Sequence, residues 1–124
     1  MKPLFIVMAA LEVATGLALL GSPSLPVSLL LAVSLDTPGV LVVGRVAGAA
    51  LLSLGFACWL ARDDGQSRAT RGLIAAMSLY NVAVAALLTH AGPGSGLAGV
   101  ALWPVVVVHA ALAVWCIACL RTRR

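Results

Sequence analysis

The chain has 124 residues, of which 62% are hydrophobic and 10% are charged. Soluble domains are usually about half apolar and about a quarter charged, and a soluble domain this short could not bury so much apolar surface. The composition therefore excludes an ordinary soluble domain and predicts a single transmembrane domain over residues 1–124.

The net charge of +4 does not indicate nucleic-acid binding. The basic residues stand at the ends of apolar segments and form no basic face with interleaved aromatic residues. We therefore expect the lipid bilayer as a partner and no nucleic acid. A homo-oligomer, a larger membrane complex and a small polar or anionic ligand remain open as further partners.

Four apolar segments are long enough to cross a bilayer, which takes about 17–25 helical residues. In chain order they cover about residues 3–21, 39–60, 72–90 and 103–120. Because lipid offers no hydrogen-bond partners to the backbone, continuous apolar runs predict helices and not an alternating β-barrel. The predicted fold class is all-α, an integral membrane four-helix bundle.

The first segment follows Lys2 and has the apolar character of a signal peptide. However, Glu12 interrupts its apolar run, and no small-residue cleavage site follows. We expect a retained helix with Pro3 in its first turn.

Between the first two spans, residues 27–35 are apolar but too short to cross. They predict a short interfacial or re-entrant helix on the outer side. Two roles are open for it, a surface loop helix or a lid over a cavity. The next span is introduced by Asp36, Thr37 and Pro38, a capping residue followed by proline.

Polar turns separate the remaining spans. Residues 62–67 join the second span to the third, and residues 92–96 (GPGSG) predict a turn after the third. The fourth span has Pro104 in its opening turn. Trp59, Trp103 and Trp115 lie toward span ends, which is typical of interfacial anchors.

Lysine and arginine lie almost entirely on one side of this topology, and the opposite loops hold only Asp36. The positive-inside rule therefore predicts that both termini are cytoplasmic. We expect a multi-pass protein of the cell inner (plasma) membrane. The basic residues on that side are Lys2, Arg62, Arg68, Arg71, Arg121, Arg123 and Arg124.

Each span carries a polar residue well inside it. Glu12 lies near the centre of the first, Arg45 near the outer end of the second, Asn81 near the middle of the third, and His109 in the outer part of the fourth. A central carboxylate costs about 2.5–3.5 kcal/mol to insert, so it usually has a partner or a function. We predict a Glu12–Arg45 ion pair in a ligand-binding cluster. Its full membership is Glu12, Arg45, Asn81, His109, Tyr80 and Thr15.

Small residues predict where helices touch. Gly44 and Gly48 form a GxxxG pattern that lets helices approach closely. Gly48 shares a face with Arg45, as Gly16 does with Glu12. The charged faces and the close-packing faces are therefore expected to coincide.

The polar residues also have structural alternatives. Arg45 is shallow enough to snorkel to the outer interface. Asn81 and His109 could serve as hydrogen-bonding bridges between helices.

The three cysteines, Cys58, Cys116 and Cys119, are an odd number and do not indicate a disulfide framework. A three-thiol metal or redox site is one interpretation. The other, which we favour, is that cysteine serves as a small apolar residue. We predict no catalytic residue, no metal site and no cofactor.

Residues 9–15 (AALEVAT) resemble the opening helix of small multidrug resistance transporters. Those are short four-helix proteins with one membrane-embedded glutamate that alternately binds protons and cationic drugs. The resemblance covers about one helix in four and implies that Glu12 is the coupling carboxylate. Arg45 in the second helix, and a third helix without that family's glycine–tryptophan pattern, depart from the family.

The sequence leaves several functions open. We expect a ligand-binding or transport protein acting through the polar cluster, with a non-catalytic accessory or structural subunit of a larger membrane complex as the alternative. A proton-coupled small multidrug-type antiporter and a membrane enzyme are less favoured. No nucleophile–base spacing or metal-ligand pair indicates an enzyme.

Overall fold

The computed structural model describes residues 1–122, and within them the chain is all-helical with no strand. Four of its five helices are long and apolar enough to span a membrane. Arg123 and Arg124, on which the predicted orientation partly rests, lie outside the described residues. The helices are α1 (Lys2–Gly21), α2 (Ser24–Leu31), α3 (Pro38–Ala61), α4 (Arg68–Ser95) and α5 (Leu102–Arg121).

The four long helices pack as two pairs, α1 along α3 and α4 along α5. The pairs meet mainly through α1 and α5, and the short helix α2 contacts both of these. The N-terminus, the α3–α4 loop and the end of α5 share one end of the bundle, which we call the terminal end. The short helix and the α4–α5 loop share the other, which we call the α2 end.

The helices α1 and α3 approach closely because glycines stand where they cross. A Cβ atom added at Gly16 would lie 2.7 Å from the backbone nitrogen of Leu52, and one at Gly48 would lie 2.8 Å from the carbonyl oxygen of Gly16. Gly55 meets Val13 in the same way. Gly48 of the GxxxG pattern therefore lies at a helix contact, as its spacing indicates.

The buried core lies toward the terminal end and joins the two helix pairs. An ion pair between Lys2 Nζ and Asp63 Oδ1, 2.7 Å long, links the start of α1 to the α3–α4 loop beyond the core. This end of the bundle is therefore closed. The core consists of Leu4, Phe5, Met8, Ala9, Cys58, Ile74, Met77, Leu112 and Cys116.

The turn predicted at residues 92–96 is wrong, because α4 continues through Ser95 with Pro93 inside it. An interior proline removes one helical hydrogen bond and normally breaks or kinks a helix. Here packing opposes the break, since Gly92 is buried and a Cβ there would lie 3.0 Å from Leu102 Cδ2. The helix ends only at Gly96, whose φ of 68° is the left-handed conformation that glycine adopts readily.

A short helix exists between α1 and α3, but it spans Ser24–Leu31 and not residues 27–35. The prediction started the helix after Pro26. Proline is tolerated in a first helical turn, where its missing N–H would have no partner within the helix. The helix ends at Ala32, which has a left-handed φ of 55°.

Backbone hydrogen bonds tether α2 to the α4–α5 loop. The amides of Gly99 and Ala101 donate to the carbonyl oxygens of Leu30 and Leu29, both at 2.9 Å. A Cβ at Gly99 would overlap the Leu29 carbonyl group, so the tether requires glycine. The end of α2 is thereby fixed against the start of α5.

Candidate functional site

A cavity of about 430 Å³ lies between the two helix pairs, on the α2 side of the core. The helix α2 contributes Pro26, Leu29 and Leu30 to its wall, and α3 contributes only Leu51. The volume falls within the range of about 300–1,000 Å³ that is usual for ligand sites. The short helix therefore lies where a lid over the cavity would lie.

Four of the six predicted site residues line this cavity, namely Glu12, Thr15, Tyr80 and His109. They come from α1, α4 and α5, so the fold brings together polar residues that are up to 97 positions apart (109 − 12). The rest of the wall is apolar, and each of the five helices contributes leucine or valine to it. The cavity thus has one polar edge inside an apolar enclosure.

Glu12 contributes the carboxyl group at this edge, and its residue is only 4% exposed. The Tyr80 hydroxyl donates to Glu12 Oε2 across 3.4 Å, which is a long and weak hydrogen bond. Among residues 1–122 no other side chain or backbone group donates to this carboxylate. Its second oxygen is therefore without a protein donor.

His109 contributes its imidazole ring to the same edge. Its Nδ1 lies 2.9 Å from the carbonyl oxygen of Val105. A carbonyl can only accept, so we assign the proton to Nδ1, which leaves Nε2 of the neutral ring as an acceptor. The rings of His109 and Tyr80 meet edge to face, with centroids 6.0 Å apart.

The predicted ion pair between Glu12 and Arg45 does not form within the part of the chain that the structure describes. Arg45 is exposed, and so are its neighbours Val43 and Val46. Successive residues of a helix are rotated by about 100°. Arg45, three residues before Gly48, therefore lies to one side of the α3 face that packs against α1. The expected coincidence of charged and close-packing faces therefore fails on α3.

Asn81 is fully buried but does not line the cavity. Its Nδ2 donates to the carbonyl oxygen of Met77 at 2.7 Å, within its own helix. Its Oδ1 is buried without a hydrogen-bond partner among residues 1–122. A buried unpaired acceptor costs about 1–3 kcal/mol, so Asn81 is expected to destabilise the packing around α4. Because it does not line the cavity, it is not part of the polar edge.

The cysteines lie apart from the cavity and are all free thiols. Cys58 and Cys116 are fully buried in the core, where the Cys116 thiol lies 3.9 Å from Met8 Sδ. Within residues 1–122, no three His, Cys, Asp or Glu side chains are grouped as metal ligands. The positions of these thiols are those of small apolar side chains.

The sequence analysis missed the apolar residues that shape the cavity. Val105, Val108 and Leu112 line it beside His109. For Val105 and Leu112, the helical spacing of i−4 and i+3 from His109 was the available indication. Composition did not reveal them, because lipid-facing positions carry the same residue types.

Comparison with known proteins gives no match to a family model, to a curated protein or to a solved structure. The resemblance to small multidrug resistance transporters thus rests on residues 9–15 alone.

Proposed function

We propose that this chain is a multi-pass membrane protein whose cavity binds a small amphiphilic molecule with a positively charged, hydrogen-bond-donating head. One observation carries the proposal. Glu12, the one buried carboxyl side chain among residues 1–122, stands at the polar edge of an otherwise apolar cavity. An apolar wall with a few converging polar groups is the usual character of a ligand site.

The chemistry of the polar edge favours a donor over an acceptor as the ligand head. The edge offers the free oxygen of Glu12 and, from the neutral ring, Nε2 of His109, and both accept hydrogen bonds. A protonated amine can donate to both, and charge-assisted hydrogen bonds are about twice as strong as neutral ones.

An anionic ligand finds less support. Such a ligand needs a cation at the site, and Arg45, the arginine expected to supply it, is exposed and does not line the cavity. The position of Arg45 therefore favours a cationic head over an anionic one, within the small polar or anionic ligands that the sequence suggested.

Binding, and not transport, is what the geometry supports. The cavity lies toward the α2 end, and the packed core of Phe5, Met8 and Met77 separates it from the terminal end. Transport would require this core to open.

The topology is part of the proposal, with both termini in the cytoplasm. Lys2, Arg62 and Arg121 lie at the terminal end together with Arg68 and Arg71, which supports that orientation. A membrane-impermeant thiol reagent applied to intact cells should label Ser34→Cys and spare Gly65→Cys. Both variants should be made with the native cysteines replaced, and the opposite labelling pattern would reverse the topology.

Binding can be tested with three probes that share a twelve-carbon chain and differ only in the head. Dodecylamine should bind saturably to the purified protein in lipid nanodiscs, whereas dodecanoate and dodecanol should bind less tightly. Glu12→Gln keeps the shape and removes the charge. It should weaken dodecylamine binding by about 10- to 100-fold, the effect of losing a charged hydrogen bond.

Arg45→Gln is the matched control, because it removes a charge outside the cavity and should leave dodecylamine binding unchanged. Tighter binding of dodecanoate, lost in Arg45→Gln, would favour the anionic ligand instead. Saturable binding of none of the three probes would contradict the proposal.

An accessory subunit is the second candidate function, and the exposure of Arg45 favours it. A charged side chain among exposed valines on a spanning helix is costly in lipid and gains from an acidic partner. Under this alternative, Arg45→Ala should release a specific partner that co-purifies with the wild-type chain from native membranes. Recovery of the wild-type chain without a partner would count against it.

A further inference from the structure

Part of the cavity wall is also part of the molecular surface. Leu11 of α1, Leu29 of α2 and Val108 of α5 all line the cavity, yet they are 39%, 43% and 40% exposed. Thr15 lines it and is exposed as well. These four are the exposed residues of the cavity wall, and all of them come from α1, α2 or α5. Their positions point to an opening between α1 and α5, beside α2.

This opening is bounded at both ends. Toward the terminal end, α1 and α5 meet where the Cys116 thiol contacts Met8 Sδ at 3.9 Å, and both residues are fully buried. Toward the α2 end, α2 contacts both helices and is tethered through Gly99 to the α4–α5 loop. The opening is therefore a lateral window with a closed frame.

The window lies at the depth of the acyl chains. Leu11 is nine residues from the start of α1 and ten from its end, or about 14 Å and 15 Å at the helical rise of about 1.5 Å per residue. The hydrocarbon core of a bilayer is about 30 Å thick. If α1 spans the membrane, Leu11 lies near the midplane.

We infer that the cavity takes its ligand from the bilayer through this window, and not from the outer aqueous phase. The inference rests on the proposed function and names its substrate class, a bilayer-resident amphiphile with an apolar tail. The apolar rim formed by Leu11 and Val108 admits the chain. Thr15, one helical turn from Glu12 toward the α2 end, offers a hydroxyl along the path of the head.

The window can be narrowed without touching the polar edge. Val108→Trp places a large side chain at the rim, and Val107→Trp is its matched control, because Val107 is 65% exposed and does not line the cavity. We expect Val108→Trp to slow both association and dissociation of dodecylamine in nanodiscs by about tenfold or more. A gate slows both rates, because the ligand crosses the same opening when it enters and when it leaves.

The outcomes separate this inference from the proposal on which it rests. Wild-type rates in Val108→Trp, with binding still weakened in Glu12→Gln, would overturn the window and leave the binding site intact. No saturable binding to the wild-type protein would remove the proposed function itself.

A second measurement needs no ligand and no bulky substitution. A nitroxide attached to Thr15→Cys, with the native cysteines replaced, should collide with lipid-dissolved oxygen more than with a water-soluble nickel chelate. Leu79→Cys, at a site 72% exposed on α4, supplies the lipid reference, and Gly65→Cys in the polar loop supplies the aqueous one. Preferential collision with nickel at position 15 would show an aqueous opening and overturn the inference.

Discussion

At Gly48 the backbone of α3 lies so close to α1 that a side chain would overlap it. A Cβ there would be 2.8 Å from the Gly16 carbonyl oxygen and 2.9 Å from the Leu20 amide nitrogen. Backbone atoms cannot rotate away as a flexible side chain can. We expect Gly48→Ala to lower the free energy of unfolding by about 1–3 kcal/mol, measured by denaturant titration in micelles.

Gly72→Ala is the control for this substitution. Gly72 also lies in a spanning helix, and a Cβ there would meet nothing within 4 Å. Because alanine is the better helix former, Gly72→Ala should be neutral or stabilising by up to about 1 kcal/mol. Equal losses at the two positions would show that the α1–α3 contact does not depend on the glycine at 48.

Glu12 and Arg45 show how far prediction from sequence reaches for single residues. Position along a helix follows from counting, so the depth of Glu12 and the presence of polar groups at one level were predictable. Rotation about the helix axis was not, since alanine, valine and leucine surround α1 and α3 and leave no clear apolar face. Glu12 therefore turned out to face a cavity, whereas Arg45 faces outward.

In the α3–α4 loop, the carboxylate of Asp64 accepts hydrogen bonds that hold the loop against the start of α4. Hydroxyls of Ser67 and Thr70 donate to Asp64 Oδ2 at 2.7 Å and 2.9 Å. The Thr70 amide in turn donates to Ser67 Oγ, which caps α4. The hydrogen bonds from Ser67 and Thr70 hold the pKa of Asp64 below its ordinary value.

This lowered pKa predicts a pH dependence for the start of α4. Because the folded pKa of Asp64 is below the unfolded one of about 3.9, the carboxylate stabilises the loop above that pH. The stabilisation is lost as the pH falls through the folded value. The Thr70 amide resonance should follow this titration in NMR spectra, and Asp64→Asn should remove the step. An identical titration in that variant would assign the step to another group.

Helix ends were predictable where a proline marks a helix boundary, and were mispredicted where a proline lies inside a helix. The predicted ends of α1, α3 and α5 agree with the structure to within one residue. The prediction stopped α4 before Pro93 and started α2 after Pro26. Pro93 remains inside α4 because Gly92 is buried in a tertiary contact. Pro26 fits within the first turn of α2. Local sequence patterns do not contain the tertiary contact.

For the whole molecule, the pairing of helices was the part that the sequence could not predict. The GxxxG pattern on α3 indicated a close contact but not that α1 would supply it. The cavity is a consequence of this pairing, because two tightly packed pairs meet through a core at one end and leave space at the other. An apolar wall has the same composition as a lipid-facing surface, so the cavity was not detectable by composition.

The core at the terminal end should therefore contribute more to stability than any lipid-facing residue of equal size. Phe5 is fully buried between the pairs, whereas Phe56 on α3 is 61% exposed. Phe5→Ala leaves a void that neighbours cannot fill, and such losses are about 3–5 kcal/mol in protein cores. At Phe56, lipid can occupy the vacated space, so Phe56→Ala should change the free energy of unfolding by less than about 0.5 kcal/mol. Denaturant titration of both variants in one lipid or detergent makes the comparison direct. A loss at Phe56 as large as that at Phe5 would mean that the exposed face of α3 is covered in the assembled protein. That result would join the exposed Arg45 in favouring a larger complex over an isolated binding protein.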